Sequence, residues 1–156
     1  MRGVGKIIVT VLAVILALIV IVIGIWALIS SGKIRTYDGP RGLSEKFLMD
    51  INGAPNGMII NSADTDNPVL LLVSSGPGTD DYFLTDRYEN MNLEDYFTVV
   101  YWDYRGMGIA YDSGFDSSSI TLENLIEDTH EVTQYLKERF GKEKIYIMGF
   151  SGGSHI

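Results

Sequence analysis

The chain has 156 residues, a formal charge of −8 and no cysteine. That is enough for about one domain, and it excludes disulfides, thiolate metal sites and cysteine nucleophiles. Residues 1–30 hold two basic residues and no acidic one, so the remainder, with 10 basic against 20 acidic residues, carries −10 and makes an unfavourable surface for nucleic acid or anionic lipid headgroups.

In chain order, the first predicted element is a membrane helix. Residues 7–29, IIVTVLAVILALIVIVIGIWALI, contain no charge over 23 positions, and about 20 apolar residues span a hydrocarbon core. The run is longer than the apolar core of a cleaved signal, about 7–15 residues, and WALISSG is a poor cleavage site. A core helix of this length in a soluble domain would show a polar face. Residues 7–29 are therefore expected to cross the lipid bilayer as an uncleaved single-pass anchor, with Trp26 at the interface. SSGKIRTYDGPRG, residues 30–42, is a Gly-rich polar stretch. The expected organisation is an anchor over 1–30, a linker over 31–45 and a folded domain over 46–156.

The domain should open with a hairpin: a strand near 46–52, a loop over 52–57 turning at Asn56-Gly57, and a return strand over 58–62. Three apolar runs follow, at 68–75, 96–103 and 144–149. Such runs suit strands buried on both faces of a parallel sheet. A helix is predicted over 121–139. Thr121 caps it, Glu123 lies in its first turn, Lys137 and Arg139 in its last, and Gly141 stops it. Leu122, Leu125, Ile126, Thr129, Val132, Thr133 and Leu136 make its apolar stripe. A short helix is also expected near 80–90. Strand, crossover helix, strand is the βαβ unit of an α/β sheet.

Each apolar strand ends in a glycine-containing loop: SSGPG (74–78), DYRGMG (103–108) and GFSGG (149–153). In an open α/β sheet such loops gather at the carboxyl ends of the strands, where ligands bind. GFSGG fits G-x-S-x-G, in which tight packing of strand and helix leaves a serine exposed at a sharp turn. The backbone N–H of Gly152 then lies near Ser151, placed to stabilise an oxyanion. A phosphate-binding loop would want a lysine after the glycines, and none is present. Pro77-Gly78 suits a type II turn. Asp103 and Arg105 are read as structural charges bracing their turn.

From about residue 45 onward the chain resembles the N-terminal half of an α/β-hydrolase of the proline iminopeptidase-like branch. That branch carries H-G-G-P-G after its third strand, D-Q-R-G-x-G after its fourth and G-x-S-x-G-[ST] after its fifth. Here the same order and intervals hold Ser74-Ser75-Gly76-Pro77-Gly78, Asp103-Tyr104-Arg105-Gly106-Met107-Gly108 and Gly149-Phe150-Ser151-Gly152-Gly153-Ser154. The resemblance implies Ser151 as nucleophile and the N–H groups of Gly76 and Gly152 as the oxyanion hole. Two positions depart from it: Ser74-Ser75 replace the usual His-Gly, and Gly152 replaces a large residue. The fold class expected is α/β, with hairpin strands and then a parallel βαβ sheet, preceded by one transmembrane helix.

Two histidines exist. His130 falls on the flank of the predicted helix and is read as solvated. His155 follows Ser151 by four residues, whereas in the family order an acid comes next and the histidine last. The expectation is thus a membrane-anchored serine hydrolase, aminopeptidase-like by resemblance, acting on a small ester, amide or peptide. It is expected to be present as a fragment that is inactive alone, and to use neither cofactor nor metal. The alternative is a non-catalytic, membrane-tethered interaction protein that keeps the scaffold. For orientation, lysine and arginine counts favour a cytoplasmic domain; analogy with anchored bacterial hydrolases, which we follow, puts the domain outside.

Overall fold

The computed structural model describes residues 2–28, 34–76, 81–82 and 92–156. The chain divides into two compact units, residues 1–33 and 34–156. In the first, helix α1 (Arg2–Leu28) has 27 residues and a length of about 40 Å. Its stretch Gly5–Trp26 has a mean hydropathy of 3.4 and is solvent-exposed throughout. By length and composition it can cross a membrane.

The second unit is an α/β fold around one mixed sheet of five strands: β1 (Leu43–Ile51), β2 (Ala54–Ser62), β3 (Val69–Val73), β4 (Thr98–Asp103) and β5 (Tyr146–Gly149). Their spatial order is β1-β2-β4-β3-β5. β1 and β2 form a hairpin, β2 runs antiparallel to β4, and β3 runs parallel to both β4 and β5. Helix α2 (Leu122–Phe140) carries the chain from β4 across β3 to β5. Ile34 packs against the sheet's second core and β1 begins at Leu43, so the folded unit takes in residues expected as linker.

The sequence explains most of this. Alternate residues of the central strands point to opposite faces. Met58, Ile60, Leu71, Val100 and Trp102 meet Leu125, Val132 and Leu136 of α2 in one core. Ile59, Leu70, Leu72, Val99 and Tyr101 form the core of the other face with Tyr82. All five residues of β3 are buried, and each such side chain contributes about 1.5–3 kcal/mol. α2 starts as its cap dictates: Thr121 accepts the Asn124 N–H at 3.2 Å, and Gly141 ends the helix at φ 60°.

Three expectations are corrected. The hairpin turns at Asn52-Gly53, not Asn56-Gly57. Asn52 and Gly53 take φ of 51° and 75°, the positive values a two-residue hairpin loop needs, and the Gly53 N–H is held by Asp50 Oδ1 at 3.1 Å. Asn56 is instead buried within β2, where its Oδ1 accepts the Trp102 indole N–H at 2.9 Å. On α2, Leu122 and Ile126 are exposed while Asp128 is fully buried. Finally, β5 is not a strand buried on both faces. Tyr146, Ile147 and Met148 are 60, 52 and 39 % exposed, because among the described residues β3 is the one strand paired with β5. The short helix expected near 80–90 lies, apart from Asp81 and Tyr82, outside the described residues, as does the Pro77-Gly78 turn.

Candidate active site

The parallel register of β3, β4 and β5 brings the ends of all three strands to one edge of the sheet. Past β5 the chain turns sharply. The Phe150 N–H still donates to the Val73 carbonyl at 3.2 Å, continuing the ladder, and a 3-10 turn then runs over Ser151–His155. Ser151 takes φ 46°. A non-glycine residue in that region costs about 1–2 kcal/mol, and such strain collects where a side chain must be presented in one place. Ser151 is exposed.

The glycines around it are there for space. A Cβ on Gly149 would strike the Gly153 carbonyl, and one on Gly153 would strike the carbonyls of Val73 and Ser74. Gly149 therefore lets the turn close on itself, and Gly153 lets it lie against the end of β3. The Gly153 N–H returns to the Phe150 carbonyl at 2.8 Å, and the Ser154 hydroxyl donates to the Ser151 carbonyl at 2.5 Å.

Beside Ser151 stands the loop after β3. The Ser75 carbonyl accepts the Gly152 N–H at 3.0 Å, so the donor expected in the oxyanion hole is engaged with that loop. Gly76 follows at φ 143°. Asp81 holds the loop: its carboxylate accepts the Ser75 N–H at 3.0 Å and the Ser75 hydroxyl at 3.2 Å. Sequence reading missed Asp81. The only signal for it was the pair of serines where the motif carries His-Gly.

The loop after β4 bears out the structural reading of its charges. Asp103 Oδ2 accepts the Ile109 N–H at 2.9 Å. Arg105 is buried and makes a two-pronged pair with Asp128 of α2, at 2.7 Å from Nε and 2.6 Å from Nη2. Asn52 of the hairpin turn donates to the same carboxylate at 2.9 Å. Tyr104 stacks edge-on against Trp102 with 5.6 Å between ring centroids. Burial first, and the Asp81 charge second, raise the Tyr104 hydroxyl above its ordinary range. It stays neutral at the floor of this edge.

The structure brings Ser151, Gly152 and the Ser75-Gly76 loop together. It brings neither histidine to Ser151: His130 is exposed on α2, and His155 is exposed on the 3-10 turn without a hydrogen bond to the serine. Among the described residues no group of His, Asp or Glu could hold a metal ion.

The chain is 41% identical over 106 residues, 68% of its length, to a probable aminopeptidase, YbaC, of Bacillus subtilis (strain 168). Among solved structures it matches a proline iminopeptidase-related protein from Thermus thermophilus, with a TM-score of 0.53 and 25% identity over 69% of the chain. The relationship is α/β-hydrolase-like, of the proline iminopeptidase kind. No protein-family model matches the chain. The chain spans about a third of the length of each relative, 33% of the first and 36% of the second.

Proposed function

We propose that the chain carries the nucleophile side of a serine hydrolase site, in an aminopeptidase-like protein held to a membrane by residues 7–29. The observation that supports this most is Ser151 itself. It is a non-glycine residue at φ 46°, exposed, at a strand-to-turn corner where Gly153 lies against the end of β3. In the proposed chemistry the Ser151 hydroxyl attacks the carbonyl carbon of an ester or amide. A base takes the hydroxyl proton, and the carbonyl oxygen becomes an oxyanion that accepts the N–H groups of Gly76 and Gly152. The base then returns the proton to the leaving alcohol or amine, and water releases the acyl group.

An unassisted serine hydroxyl is a weak nucleophile. His130 and His155 do not stand where a base must. We take the base and its orienting acid to lie in sequence that the longer relatives have and this chain does not span. The chain alone should therefore not turn over. The engaged Gly152 N–H also suits the second reading, a tethered interaction protein that keeps the scaffold without catalysis.

A hybrid separates the two. In the Bacillus subtilis relative, the matched 106-residue segment is replaced by the corresponding segment of this chain. The hybrid should cleave aminoacyl arylamides with a free amino terminus and not their N-acetyl counterparts, and Ser151→Ala should abolish cleavage. A folded hybrid with no turnover favours the interaction protein.

A further inference from the structure

We propose that the Ser75-Gly76 peptide is a two-position switch that closes the oxyanion site in the conformation seen, with Asp81 as the positioning residue that holds Ser75 while the peptide turns. This rests on the proposed role of Ser151 and concerns how that site is regulated. In a planar trans peptide the C=O and N–H point in opposite directions. The Ser75 carbonyl points at the Gly152 N–H, 3.0 Å away. The N–H of the same peptide, that of Gly76, therefore points away from Gly152. An oxyanion needs converging donors. Here one donor faces a carbonyl oxygen and the other faces elsewhere.

Turning this one peptide about the line between its two Cα atoms reverses the arrangement. The Gly76 N–H takes the place of the Ser75 oxygen, beside the Gly152 N–H, and both can meet a substrate oxygen at Ser151. The turn changes ψ of Ser75 and φ of Gly76. Gly76 stands at φ 143°, and glycine crosses between positive and negative φ without a Cβ clash. Among the described residues, no atom outside its chain neighbours lies within 4 Å of where its Cβ would be.

Ser75 is held on its other side. Its N–H and its hydroxyl both donate to Asp81, and neither bond involves the atoms that rotate. The departure from the family motif gains a purpose here. Glycine in place of Ser75 would give Asp81 one donor; serine gives it two and fixes the pivot. A developing oxyanion favours the open position because it is the ligand that binds the two positions differently.

Amide hydrogen exchange, measured by NMR on the full chain in detergent micelles, tests the switch. The Gly152 amide should be protected, as should the neighbouring Phe150 amide bonded to Val73. Gly76→Ala disfavours φ 143° and should speed Gly152 exchange about tenfold or more, with Phe150 unchanged. Asp81→Asn should speed exchange at both Ser75 and Gly152. An unprotected Gly152 amide in the unaltered chain overturns the switch, and so does unchanged Gly152 protection in a folded Gly76→Ala variant. If that variant loses Phe150 protection as well, the unaltered chain and Asp81→Asn decide; unchanged Ser75 and Gly152 protection in Asp81→Asn removes Asp81 from the role. None of these readouts needs a reaction at Ser151. An unlabelled Ser151 in a fluorophosphonate-treated hybrid, with Gly152 protected as expected, would sink the nucleophile alone. A labelled Ser151 with an unprotected Gly152 would sink the switch alone.

Discussion

Asp128 shows how a single residue can hide from its sequence. A carboxylate on an amphipathic helix reads as solvent-facing, yet this one is fully buried and joins three elements: α2, the loop after β4 through Arg105, and the hairpin turn through Asn52. The bracing role of Arg105 was legible from its place at a strand end; its partner was not, because nothing local marks it. Leaving one member of such a pair unmatched costs about 3–5 kcal/mol. Arg105→Met should lower unfolding stability in urea by that amount, and Arg105→Met with Asp128→Leu should recover part of it. Tyr101 offers a test with pH. Its hydroxyl donates to the buried Glu94 at 2.8 Å. Burial first, and the Glu94 charge next, raise its pKa well above the ordinary tyrosine range. The folded pKa lies above the unfolded value of about 10, so this stabilisation is complete below about pH 10 and is lost as pH rises beyond it. Urea midpoints should fall steeply above about pH 10. Tyr101→Phe should flatten that fall and cost about 1–3 kcal/mol at neutral pH, since Glu94 loses its donor.

At the scale of elements, strands and helix were legible where pattern and cap agree. Thr121, Gly141 and the buried run of β3 fell where periodicity and turn chemistry placed them. The hairpin was not, because INGAPNG offers two Asn-Gly pairs of equal local quality. The choice is made by a distant contact, Trp102 on Asn56. β5 has the composition of a doubly buried strand and the environment of an edge. Exposed apolar edges pair with other chains. A chain lacking residues 1–30 should therefore self-associate despite its charge, and Ile147→Lys should shift its size-exclusion elution toward the monomer. An unchanged profile would place the contact elsewhere.

Across the whole molecule, the three strand-end motifs carry the most information. Their order in sequence becomes one sheet edge only because β3 lies between β4 and β5, and no single motif states that. The order was legible through the family resemblance, and the relationship to proline iminopeptidase-like proteins is supported by both relatives. The closed contact between Ser75 and Gly152 was not, because peptide orientation leaves no trace in residue type. At this scale α1 stands as a proposed anchor. Carbonate-washed membranes should retain the full chain, and deleting residues 1–30 should release it; full-length chain in the soluble fraction would show that α1 does not anchor. Protease should digest the domain in intact cells if it faces outward as proposed.

If Ser151 is the nucleophile, a covalent adduct must form on it. The hybrid with the Bacillus subtilis relative is treated with a fluorophosphonate, digested and analysed by mass spectrometry. One modified peptide is expected, with the phosphonyl group on Ser151 and none on Ser74, Ser75 or Ser154. A modified serine elsewhere in this chain's segment, or labelling that persists in Ser151→Ala, would contradict it.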